Sequence, residues 1–153
     1  MSSDAIADLL QEGRTFPPPE TFKATALVRD AEIYDDAAAD RLGFWARQAA
    51  ELDWFTEWDE ILQWEVPYAK WFVGGSLNVS YNCLDRHVEG GHGDQVAFHW
   101  EGEPGDTRTL TYAEMLGEVQ RAANALKALG VEKGDRVAVY LPMIPELAVT
   151  MLA

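Results

Sequence analysis

Apolar residues after Thr111 recur at Tyr112, Met115, Leu116, Val119, Ala123 and Leu126, a spacing that lays one stripe along a helix. Thr111 stands three residues before Glu114, the arrangement of a capping box, so this helix is predicted to open at Thr111. Gly130 closes it as a C′ residue. Upstream, Val96-Ala97-Phe98-His99-Trp100 alternates as a half-buried strand does, Gly102-Glu103-Pro104-Gly105-Asp106 has hairpin-turn composition, and Thr107–Leu110 returns as the second strand. Downstream, Lys133-Gly134-Asp135 turns the chain into the apolar run Val137-Ala138-Val139-Tyr140-Leu141, which predicts a strand of a parallel sheet covered on both faces. Pro142 and Pro145 bracket its exit, and Pro145-Glu146 reads as the first turn of another helix. The fold class is α/β. Its last unit reads as unfinished at Ala153, so the chain is expected to be a truncated part of a larger protein.

The first half has a different texture. Residues 1–30 read as an irregular leader, with Phe16 followed by the extended step Pro17-Pro18-Pro19, across which no helix can run. Asp35 to Leu52 is predicted helical, with Asp35 or Asp36 as cap, Ala37, Leu42, Trp45 and Ala49 at helical spacing, and Gly43 as a weak point. Residues 53–73 gather Trp54, Phe55, Trp58, Trp64, Tyr68, Trp71 and Phe72 around Pro67. Such rings serve buried contact area more readily than a ligand cage. After Gly74-Gly75, Leu77–Val88 predicts a short helix with Asn78 as its cap, ended by Gly90-Gly91-His92-Gly93.

Composition narrows the classes of partner. The chain of 153 residues carries a net charge of −14. Residues 1–66 hold 15 acidic against 5 basic side chains, and residues 67–153 hold 11 against 7. Such a surface repels phosphate backbones and anionic lipid, so neither nucleic acid nor membrane is an expected partner. A single cysteine, Cys83, permits no internal disulfide. The N-terminus has no basic region before an apolar run, and no stretch approaches the roughly 20 apolar residues that span a bilayer. A cytoplasmic location is the expectation.

Candidate chemistry is sparse. Cys83 and His87 lie four apart with His92 beyond, but three such residues at this spacing match no zinc pattern, and His99 sits on a predicted strand without a partner. A phosphate loop needs a strand before it and a helix after it. Gly90-Gly91-His92-Gly93 has the reverse order, and Gly74-Gly75 lacks the Lys and Ser/Thr that hold phosphate and metal. Asp85-Arg86 reads as an ion pair or helix cap. The residues alone predict packing and no reaction, with no catalytic, cofactor-binding or metal-binding residue.

One resemblance adds to this picture. Trp71-Phe72-Val73-Gly74-Gly75-Ser76-Leu77-Asn78-Val79-Ser80-Tyr81-Asn82-Cys83-Leu84-Asp85-Arg86-His87 resembles the N-terminal signature of AMP-forming acetyl-coenzyme A synthetases, as do Phe44-Trp45, Leu52-Asp53-Trp54 and Trp58. Leu110-Thr111-Tyr112-Ala113-Glu114-Met115 and Gly134-Asp135-Arg136-Val137-Ala138-Val139-Tyr140-Leu141-Pro142 resemble motifs of the wider acyl-adenylate-forming superfamily. The resemblance implies an organisation of leader (1–30), acetyl-CoA-synthetase-type N-terminal region (31–90) and the incomplete start of an AMP-binding ligase domain (91–153). It implies a parent enzyme that joins acetate to CoA through acetyl-AMP, releasing AMP and diphosphate, with ATP, CoA and Mg2+ as reactants and cofactor. Propionate or another short-chain acid is the alternative substrate, and a non-catalytic interaction module the alternative role. The family's Ser/Thr-Gly-rich loop ending in Lys, its later motifs and its lysine-bearing C-terminal domain do not occur in residues 1–153. Asn78, Asp85 and Arg86 match the signature and are read as structural.

Overall fold

The computed structural model describes residues 13 and 15–153. These divide into two compact units, one ending at Trp45 and the other running from Ala46 to Ala153. In the first, residues 15–19 belong to no helix or strand, and Pro19 is extended, with φ −56° and ψ 147°. Helix α1 (Glu20–Thr25) starts at once after the prolines, so the expectation of an irregular leader over 1–30 fails at this helix; residues 1–12 and 14 of that leader lie outside the described residues. Proline blocks a helix through itself but leaves its carbonyl free to start one. The Pro19 carbonyl accepts from the amides of Phe22 and Lys23, both at 3.0 Å, and Lys23 pairs with Glu20 at 2.8 Å.

The single helix expected from Asp35 to Leu52 is two, α2 (Glu32–Ala39) and α3 (Arg41–Ala49). Asp40 separates them in a non-helical conformation, φ −142° and ψ 80°, and its Oδ1 accepts from the Gly43 amide at 2.9 Å. An aspartate that bonds the backbone three residues on is an N-cap, which explains the break. Gly43 gives that cap its room: a Cβ there would lie 2.0 Å from Asp40 Oδ2. Neither Asp35 nor Asp36 caps α2. Both lie inside it, while the Glu32 amide donates to Asp30 at 3.0 Å.

The unit from Ala46 contains two antiparallel two-stranded sheets. Strand β1 (Glu60–Glu65) pairs with β2 (Tyr68–Val73), and the Glu65–Tyr68 pair closes on a two-residue turn at Val66-Pro67. The aromatic density of 53–73 therefore belongs to a hairpin. Strand β3 (Val96–Glu101) pairs with β4 (Thr107–Thr111), with a register shift between Val96 and Phe98. Between the hairpins runs a helical stretch, 79–92, containing two π-helical turns, Tyr81–Asp85 and Val88–His92. Its helical geometry breaks at Gly91, which takes φ 82° and ψ 14°, so the run Gly90-Gly91-His92-Gly93 ends it as expected. Asn78 caps it as expected, accepting from the Tyr81 amide at 3.1 Å.

Helix α4 (Tyr112–Ala128) opens with the predicted capping box. The Glu114 amide donates to Thr111 Oγ1 at 3.2 Å, and the Thr111 amide donates to Glu114 Oε2 at 2.9 Å. Its stripe meets α5 (Pro145–Leu152), and Leu84, Leu110, Met115, Val119 and Val149 form the buried core. Arg108 on β4 donates to Glu118 of α4 and, at 2.8 Å, to Glu146 of α5, tying three elements together. The Thr111 bonds hold the Glu114 carboxyl below its usual pKa. A depressed carboxylate contributes stability above its unfolded pKa and loses it as pH falls through the folded value. Thr111→Ala should cost about 1 kcal/mol by removing the Oγ1 that caps the helix. Glu114→Gln should lower stability at pH 7 more than below pH 4, where the parent carboxyl is protonated; urea titrations at the two pH values check both.

The Val137–Leu141 strand does not form. The segment pairs with no strand among the described residues, and Val137, Val139, Tyr140 and Leu141 are all exposed. A strand is held by its neighbour's backbone, and both hairpins are self-contained pairs. Extended propensity alone cannot supply the missing ladder.

Candidate functional site

The signature stretch folds around one corner of the chain. Trp54, Trp58 and Phe72 form a triangle of rings, with centroids 4.9, 5.1 and 5.6 Å apart. Trp54 Nε1 donates at 2.8 Å to the Ala49 carbonyl at the end of α3, which also accepts from the Leu52 amide at 3.1 Å. Phe72 holds φ 51°, left-handed for a residue with a Cβ, which costs about 1–2 kcal/mol. Its carbonyl then accepts from the Gly75 amide at 3.0 Å. At Gly75 a Cβ would lie 2.6 Å from the Trp54 ring, and Gly74 takes φ 83°. The two glycines make a tight turn against a ring.

Below the triangle, Asn82 clamps residue 53. Its Oδ1 accepts from the Asp53 amide at 2.8 Å, and its Nδ2 donates to the Asp53 and Asn78 carbonyls, each at 3.0 Å. Arg86, one turn on, donates to the Glu51 carbonyl at 3.0 Å and stands 4.0 Å from the Asp53 carboxylate. Arg86 thus pairs with Asp53, not with its neighbour Asp85. Tyr81 stacks edge-on with Phe55 at 5.4 Å and donates to Glu89 at 2.8 Å; the carboxylate so placed raises the Tyr81 pKa. Asn82 is the residue sequence reasoning missed: the one buried polar side chain among the described residues, with partners 29 positions away.

The other candidates do not converge. Cys83 is exposed, His87 packs on Tyr112 at 4.9 Å, His92 contacts Gln95 at 3.1 Å, and His99 lies across from Thr109 on the β3–β4 hairpin. Among the described residues no three His, Cys, Asp or Glu side chains gather as metal ligands. No lysine lies between Lys70 and Lys127, so neither glycine pair is followed by the Lys of a phosphate loop. These residues do not fit ATP or a magnesium ion, and no reaction step is assigned to them. An apolar cavity of about 280 Å3 opens between Leu84, Phe98, Met115, Ala148 and Met151, with Cys83 on its lining. No helix among the described residues is long and apolar enough to cross a membrane.

Comparison with known proteins matches this architecture. Residues 84–153 match the family described as AMP-binding enzyme. Residues 30–83 match the family described as acetyl-coenzyme A synthetase N-terminus. Together the two matches span residues 30–153, an acetyl-coenzyme A synthetase N-terminus followed by part of an AMP-binding enzyme. It is 63% identical to the acetyl-coenzyme A synthetase of Streptomyces avermitilis, over 100% of this chain and 24% of that protein. The acetyl-coenzyme A synthetase of Mycobacterium tuberculosis is 61% identical over 91% of this chain and 22% of its own length. Among solved structures, an acetoacetyl-CoA synthetase from Streptomyces lividans superposes with a TM-score of 0.74 and 26% identity, covering 88% of this chain and 24% of that one. The chain thus spans about a quarter of the length of the relatives it matches.

Proposed function

We propose that this chain is the N-terminal part of an acetate–CoA ligase. The parent enzyme activates acetate with ATP as acetyl-AMP and passes the acetyl group to CoA, releasing AMP and diphosphate. The observation that carries the reading is the 63% identity, over the whole chain, to a protein named acetyl-coenzyme A synthetase. Magnesium would bridge the ATP phosphates in the parent enzyme, as charge-stabilised phosphoryl chemistry requires. The lone cysteine and the acidic N-terminus favour a cytoplasmic setting without nucleic-acid or membrane partners. Within this scheme, residues 30–83 build the aromatic corner and residues 84–153 begin the ligase body.

The test is activity of the polypeptide encoded by the continuous reading frame. Acetate-dependent release of diphosphate from ATP, with propionate as competitor, is expected to favour acetate. A stop codon after Ala153, or no activation of either acid, would overturn the proposal. A second expectation concerns the 153 residues alone. They should release no acetate-dependent diphosphate above background, since nothing among the described residues gathers metal ligands; turnover by the purified chain would refute this.

A further inference from the structure

The two family matches meet between residues 83 and 84, which suggests a joint between two regions. The structure places no joint there. The helical stretch 79–92 runs straight through the meeting point, and Ala46–Ala153 forms one compact unit across it. We infer that this stretch is a splint that makes the N-terminal corner and the ligase body open as one, with Asn82 and Arg86 as its grips on the corner.

The splint has different partners on its two sides. Toward the corner, Asn82 makes three hydrogen bonds that fix Asp53, Arg86 holds the Glu51 carbonyl, and Tyr81 packs on Phe55. Toward the body, Leu84 is buried with Leu110, Met115, Val119 and Val149, and His87 stacks on Tyr112. Beyond its end, the Gly93 carbonyl accepts from the Ala113 amide at 3.0 Å. Leu84 lies between Asn82 and Arg86 in sequence, so displacing the helix disturbs both sets of contacts. Local opening normally follows contiguous cooperative units, and this geometry makes the unit cross the family boundary.

Hydrogen exchange of the 153-residue chain across a urea series, read by mass spectrometry, tests the inference. In the parent chain, residues 49–76 and 96–128 are expected to lose protection at a common urea concentration. In Asn82→Ala, protection of 49–58 should fall about tenfold or more while that of 96–128 changes by less than about threefold, uncoupling the two. Asn82→Asp sets a carboxylate against the Asp53 and Asn78 carbonyls and should give at least as large a fall, whereas Arg86→Lys keeps the charge beside Asp53, should give a smaller one, and covers the case in which the Asn82 variants do not fold. Separate transitions in the parent chain, absence of protection in both segments, or unchanged protection of 49–58 in all three variants would overturn it.

Discussion

Replacing Met115 by alanine is expected to lower the stability of the chain by about 2–5 kcal/mol, the range for large-to-small changes at buried sites. Met115 is 3% exposed and sits where four elements meet, among Leu84 of the π-helical stretch, Leu110 of β4, Val119 of its own helix and Val149 of α5. Truncation removes most of its contacts at once and adds volume to a space already bordered by the 280 Å3 cavity. Since small domains are stable by only about 5–15 kcal/mol, the loss is a large share of the total. Leu116→Ala is the matched control: Leu116 packs at the margin of the same cluster and should lose less. Urea unfolding followed by far-UV circular dichroism compares the two; equal losses would mean that Met115 is not at the centre of the core.

What the sequence made readable was local. The capping box was legible because Thr111 and Glu114 satisfy one another within a single turn. The β3–β4 hairpin was legible because its turn residues are distinctive and its strands adjoin them. Errors fell where a local signal was masked by the pattern around it, and where a distant partner decides. Asp40 breaks a helix because its side chain competes for the backbone, an outcome periodicity does not register. The β1–β2 hairpin was hidden because aromatic density obscured the alternation that the register now displays, with Leu62 facing Trp71 and Trp64 facing Ala69. Asn82 looked ordinary, since its partner at residue 53 is brought close only by the fold. The family signature found the right stretch without revealing why: its glycines make room for Trp54, and its Asn and Arg hold a corner. Recognition worked here on residue identity, and physical meaning came only with geometry.

The exposed run at Val137–Leu141 should make the isolated chain self-associate. Its sequence is rich in β-branched and aromatic residues, carries no charge and contains no proline until Pro142. Tyr140 is fully exposed, and the backbone of 137–141 has no strand alongside. A free extended backbone of this composition accepts any strand edge, including the same segment of another copy. The purified 153-residue chain is therefore expected to show an apparent mass that rises with concentration well above 17.1 kDa in sedimentation equilibrium. Val139→Lys places a charge in the middle of the run, the device by which natural edges resist pairing. Val139 lies outside the buried core, so the variant should keep the parent's circular dichroism spectrum while its mass stays near that of one chain. A parent chain that remains monomeric at high concentration would rule out this association, and a variant that associates as strongly would move it to another surface.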